Sequence, residues 1–124
     1  MREILFKGKV NDTKEWIIGD LISHTYENPN IRPVGRLDSY IVIPETVGQY
    51  TGLTGKNGKK IFEGDIVRYG DTVHKVVFEN RNKTAYFGLV YSPLETLPFG
   101  HYQDLRQIEV IGNAHDNPEL LKGE

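Results

Sequence analysis

The sequence predicts a mainly β fold, a small barrel or sandwich of six to eight short strands. Three observations carry that expectation. Apolar and polar residues alternate with period two through most of the chain, the mark of half-buried strands. The connections are rich in glycine and proline. Helical periodicity is nearly absent, and many short strands joined by such turns are the pattern of small all-β domains.

The first pair of strands is ILFKGKV (Ile4–Val10) and WIIGDLIS (Trp16–Ser23), flanking the polar turn NDTKE as a hairpin. SYIVI (Ser39–Ile43) is β-branched and stops at Pro44, which lacks the N–H a ladder needs. DIVRY (Asp65–Tyr69), the turn Gly70-Asp71 and TVHKVVFE (Thr72–Glu79) form a second hairpin. In its second arm Val73, Lys75 and Val77 share one face, and His74, Val76 and Phe78 the other. TAYFGLVY (Thr84–Tyr91) and RQIEVIG (Arg106–Gly112) complete the strands. At the end, HDNPELLKGE predicts a short C-terminal helical turn: Asn117 can cap, Pro118 suits the first position and Gly123 can stop it. The segments Thr25–Asp38 and Ser92–Gln103 each hold two prolines and read as long loops, the natural candidates for contact surfaces.

Length and charge bound the function. The 124 residues suit one domain, 1–124. Cysteine is absent, which excludes thiolate catalysis, Cys-type zinc sites and disulfides, and fits a reducing cytoplasm. The longest apolar run near the N-terminus, Ile4–Phe6, is too short for a signal-peptide core, and no segment approaches the roughly 20 apolar residues of a membrane span. Net charge is −2, against a strong nucleic-acid binder. The charge is uneven: −1 over residues 1–55, +3 over 56–83 and −4 over 84–124. A mildly basic middle of this density is weaker than a usual nucleic-acid footprint.

The densest stretch is QYTGLTGKNGKKIFEGDIVR, Gln49–Arg68. Glycine beside lysine raises phosphate binding. A Walker A loop needs Gly, four residues, then Gly-Lys and a hydroxyl, but Tyr50 and Asn57 occupy two of those places for Gly55-Lys56. Gly58-Lys59 fails at Leu53 and Lys60. The structural reading is stronger: Asn57-Gly58 turns a hairpin, since both residues tolerate positive φ. Glu63 and Asp65 at i, i+2 would share a strand face and could serve acid–base chemistry. Against that, Gly64 supplies a special backbone angle and Asp65 can bind nearby N–H groups. Gly19-Asp20 has the same form and the same reading.

The four histidines, His24, His74, His101 and His115, lack the spacing of metal pairs. His101 with Asp104 is the least implausible acid–base pair, and no nucleophile signature is present. No cofactor, metal site or enzymatic activity is expected. Lys56, Lys59, Lys60, Arg68, Lys75, Arg81 and Lys83, with Tyr69 and Tyr86 as stacking platforms, define a possible face for a partner or for nucleic acid.

REILFKGK (Arg2–Lys9), EWIIGDLI (Glu15–Ile22), ETVGQYTGLTGKNGKKIFEGDIVR (Glu45–Arg68) and EVIGNAHDNPELL (Glu109–Leu121) resemble, in order and spacing, the YopX family of bacterial phages and prophages. The likeness spans nearly the whole chain and is weakest over Thr84–Leu105. It implies an SH3-like barrel and a phage or prophage origin, hence action in the cytoplasm of a bacterial host. It brings no established activity and no catalytic residues. The expectation is therefore a non-catalytic accessory protein that binds a host or phage protein or self-associates as a homo-oligomer. The alternative is a nucleic-acid-binding small barrel that uses the basic and aromatic face.

Overall fold

The computed structural model describes residues 4–23, 29–81, 84–92, 95–99 and 103–121. The chain is mainly β, in two antiparallel sheets, with helix limited to single 3₁₀ turns among the described residues. It divides into two compact units, Met1–Tyr50 and Thr51–Glu124.

In the first unit β1 (Phe6–Lys9) and β2 (Trp16–Ser23) form the expected hairpin, with Lys9 opposite Trp16 and Phe6 opposite Gly19. β3 (Asn30–Pro33) pairs with β2, and β4 (Tyr40–Ile41) with β3. The first residues of β5 (Gly48–Thr54) pair with β1 on its other side. Alternation along these strands points Val10, Ile31 and Val42 inward, where Phe6, Ile17, Leu21, Tyr40 and Val47 pack on them. A 3₁₀ turn, Pro44–Thr46, is tied to β1 by the Thr46 hydroxyl, which accepts from the Lys9 N–H at 2.9 Å and donates to the Ile43 carbonyl at 2.6 Å.

In the second unit the end of β5 pairs with β6 (Lys60–Phe62). There the buried Thr51 hydroxyl donates to the Ile61 carbonyl at 2.8 Å. The other strands are β7 (Asp65–Tyr69), β8 (Thr72–Arg81), β9 (Thr84–Ser92), β10 (Glu95–Pro98) and β11 (Ile108–Asn113). They form a five-stranded sheet of order β10-β9-β8-β7-β11. Its core is Ile61, Val67, Val76, Leu89, Phe99 and Ile108. The β7–β8 hairpin turns at Gly70-Asp71 as expected, with Tyr69 opposite Thr72 and Gly70 at φ +63°. A positive φ at the first central position is what a II′-type turn requires.

Three expectations change. Eleven strands are present among the described residues, not six to eight. Two of the additional ones, β3 and β10, lie inside the segments read as loops, Thr25–Asp38 and Ser92–Gln103. Both strands end on proline. Pro33 lies beyond the two residues that pair with β4, and Pro98 lies on a sheet edge, so neither leaves a ladder bond unmade. Residues 25–28, 93–94 and 100–102 of these segments lie outside the described residues. SYIVI contributes only Tyr40–Ile41 and a bridge from Val42 to Val10. The C-terminal turn is present as a 3₁₀ turn, Pro118–Leu121. The Asn117 side chain does not cap it forward; it reaches back and accepts from the Asn113 N–H at 3.2 Å.

Gly19 has a role that no local pattern announces. A Cβ there would fall on the Arg32 carbonyl oxygen and lie 2.8 Å from the Pro33 Cα, so β2 and β3 meet backbone to backbone. Gly35, by contrast, has open space but a φ of +79°. Gly19→Ala should therefore destabilise by about 1–3 kcal/mol, as overpacking does. Gly35→Ala should lose about 1–2 kcal/mol through backbone strain. Urea unfolding of the two variants beside the wild type measures both. Equal stability of Gly19→Ala and wild type would refute the close approach.

Candidate functional site

The Gln49–Arg68 stretch resolves into two turns. Asn57 (φ 64°, ψ 22°) and Gly58 (φ 72°) both take the left-handed region that their residue types tolerate. They cap the β5–β6 connection, closed by the Gly58 N–H on the Gly55 carbonyl at 3.0 Å. Lys56 and Lys59 are exposed there and Lys60 is half-buried. The turn packs against β11 and the 3₁₀ turn Leu105–Gln107. Gly55 is needed for that contact, because a Cβ would strike the Ile108 carbonyl oxygen.

The second turn is Glu63-Gly64. Gly64 sits at φ +92°, and Asp65, 2% exposed, accepts from the Phe62 N–H at 2.8 Å. Glu63 precedes β7 rather than belonging to it, so the two carboxylates do not share a strand face. Asp65 acts here as a buried acceptor for backbone. Asp20 differs: it is exposed and pairs with Arg32 at 3.2 Å.

The nine proposed face residues separate. Strand alternation and register place Arg68, Lys75 and Tyr86 on one face of the second sheet, with Val73 and Val77 between them. Tyr69, the next residue after Arg68, lies on the opposite face. It packs on the core, and its hydroxyl oxygen accepts from the Asp104 N–H at 3.2 Å. Arg68 is paired across the strands with Glu109 at 3.7 Å. Lys56 and Lys59 belong to the β5–β6 turn and Lys60 opens β6. Lys83 and the Arg81 side chain lie outside the described residues.

His74 is 3% exposed and both ring nitrogens are engaged. Nδ1 lies 2.9 Å from the Val90 carbonyl, which can only accept, so Nδ1 carries a proton. Nε2 is 2.7 Å from the Thr72 hydroxyl, and the ring lies 4.1 Å from that of Tyr91. The imidazole is thus committed to joining β8 to β9. His24 and His101 lie outside the described residues, and His115 is exposed. Among the described residues no cluster of three or more His, Asp or Glu is arranged to hold a metal ion. Among them, too, no helix is long and apolar enough to cross a membrane.

Asp104 caps the Leu105–Gln107 turn. It accepts from the Arg106 N–H, and its two oxygens take Nε and Nη2 of the Arg106 guanidinium at 3.1 Å each. The guanidinium bonds hold the Asp104 carboxyl below its usual range and raise Arg106 in return.

One feature escaped sequence reasoning altogether. In the first unit Val10, Thr13, Glu15, Ile17, Pro33, Arg36 and Tyr40 line an open groove of about 300 Å³. Its floor is apolar. The Glu15 carboxylate and the Arg36 guanidinium at its rim have no partner among the described residues. Only Pro33 and Arg36 of its lining lie in a segment that composition marks as a contact surface.

Two outcomes test these assignments. Asp65→Ala leaves the buried Phe62 N–H without its acceptor and should lower stability by about 1–3 kcal/mol in urea unfolding. The Asp104 carboxyl resonance should titrate below the 3.8 of a free aspartate and move back up in Arg106→Ala. Since its folded value is depressed, its stabilising contribution is present above the unfolded value and lost as pH falls through the folded one. A carboxyl signal that does not respond to Arg106→Ala would dismiss the pairing.

Comparison with curated proteins gave no match. Comparison with protein families matches residues 6–122 to the family described as YopX protein. That span takes in both units and every turn described above, including the Gln49–Arg68 stretch. The chain belongs to the YopX family.

Proposed function

We propose that the chain is a non-catalytic accessory protein of a phage or prophage, acting in the bacterial cytoplasm by binding another protein or a second copy of itself. The observation that carries this reading is the apolar surface of the first unit. Ile18, Ile22, Val34, Leu37 and Ile41 are all exposed within one small sheet and its turns. Ile18 and Val34 are cross-strand neighbours, joined by a backbone bond of 3.4 Å. Exposed aliphatics gathered on one small unit mark protein contacts more often than catalytic clefts. We further propose that the two units act as one domain over residues 1–124, and that β7–β11 close about their core as a partly open SH3-like barrel.

The nucleic-acid reading retains one supporting observation, the common face of Arg68, Lys75 and Tyr86. It is weakened by the Arg68–Glu109 pair and by Tyr69 lying on the other face.

Affinity capture with the tagged chain from phage-bearing cells should enrich a discrete protein partner, or the untagged chain itself. A low-salt gel shift with single- and double-stranded DNA and RNA should show no retardation, since electrostatic affinity is greatest there. Retardation that Lys75→Glu abolishes, with nothing captured, would replace the protein-binding reading with the nucleic-acid one.

A further inference from the structure

The first unit carries a knob and a socket of matching chemistry. Leu37 is 95% exposed. It is not on a slack tail: the preceding turn is closed by the Arg36 N–H on the Pro33 carbonyl at 3.0 Å, with Gly35 at φ +79°. The fold therefore presents a branched aliphatic side chain to water on a fixed turn. Beside it is the open groove with its floor of Val10, Ile17, Pro33 and Tyr40. The volume of about 300 Å³ is ample for one such side chain. Glu15 and Arg36 stand at the same rim with opposite charges, yet they do not pair with each other or with another described residue.

We propose that this face binds a second copy of the chain, with Leu37 of each copy seated in the groove of the other and Arg36 of each paired with Glu15 of the other. The inference rests on the self-associating form of the function proposed above. Reciprocity is what commits the occupant. One turn supplies both the knob, Leu37, and part of the socket wall, Arg36, so a two-fold axis satisfies both copies at once and closes the assembly. The charges are self-complementary in the same way: two lone carboxylates and two lone guanidinium groups become two ion pairs. Buried or rim pairs of this type fix register and partner choice.

Sedimentation velocity of the purified full chain over a wide concentration range tests it. The wild type should be a reversible dimer. Leu37→Asp, Glu15→Arg and Arg36→Glu should each weaken association by about tenfold or more, with unchanged far-ultraviolet circular dichroism. Glu119→Lys, a charge reversal at an exposed residue of the second unit, should change nothing. The double variant Glu15→Arg/Arg36→Glu should dimerise again, and an equimolar mixture of the two single reversals should form a heterodimer. A merely structural role would give neither rescue. A wild type that stays monomeric overturns the inference. So does a dimer indifferent to Leu37→Asp, or single reversals that the swap fails to rescue. A monomer that still captures a host protein leaves the binding-module reading standing without this interface. A monomer that captures nothing ends both.

Discussion

The second unit depends on the backbone at Gly64-Asp65. Gly64 turns the chain at a φ closed to other residues, its N–H donates to the Val76 carbonyl at 2.8 Å, and its carbonyl accepts from the Ala114 N–H at 2.8 Å. Asp65 then accepts from Phe62 across the same turn. Four elements meet at two residues: the end of β6, the start of β7, the body of β8 and the end of β11. A carboxylate this deeply buried needs hydrogen-bond donors, and the Phe62 backbone N–H supplies one. A side chain at 64 would strain the backbone at a φ of +92°, and an apolar residue at 65 would leave the Phe62 N–H without its Asp65 acceptor.

The local grammar of the fold was legible in the sequence because it depends on residues near one another. Gly70-Asp71 and Asn57-Gly58 announce their turns through the φ values their types allow, and the period-two runs announce the strands between them. The face assignment of His74, Val76 and Phe78 against Val73, Lys75 and Val77 follows from alternation alone; burial agrees at His74 and Val76, while Phe78 is exposed and meets the Phe87 ring edge-on. The same alternation already separates Arg68 from Tyr69. Placing both in one stacking platform gave composition more weight than geometry.

What was not legible depends on distant partners. Gly19 looks like a turn glycine beside Asp20 but lies within β2, kept small by the β3 backbone. β3 and β10 were hidden by prolines, which argue against a strand until the neighbouring edge is known to be unpaired at that residue. The groove draws its lining from residues between Val10 and Tyr40, across two hairpin ends, so no window of the sequence displays it. Its charged rim was equally invisible, because whether Glu15 and Arg36 find partners is a property of the folded surface.

The charges show how the two units differ. Asp104 with Arg106 and Arg68 with Glu109 compensate one another in the second unit, while Asp20 and Arg32 do so on the outer face of the first. Such exposed pairs contribute about 0–1 kcal/mol each, so their effect is less to hold the fold than to leave little field for an anionic polymer. The basic excess over residues 56–83 is thus spent partly inside the molecule, at Arg68, and partly on a turn anchored to β11. The most recognisable stretch of the chain, Gln49–Arg68, is scaffold: its glycines and Asp65 answer to backbone geometry. In the first unit, by contrast, the Glu15 carboxylate and the Arg36 guanidinium have no partner among the described residues, and Leu37 is 95% exposed. A fold that satisfies its buried polar groups with such economy has no internal reason to keep an aliphatic knob and two lone charges beside one groove. On the function proposed above, a second chain is what uses them.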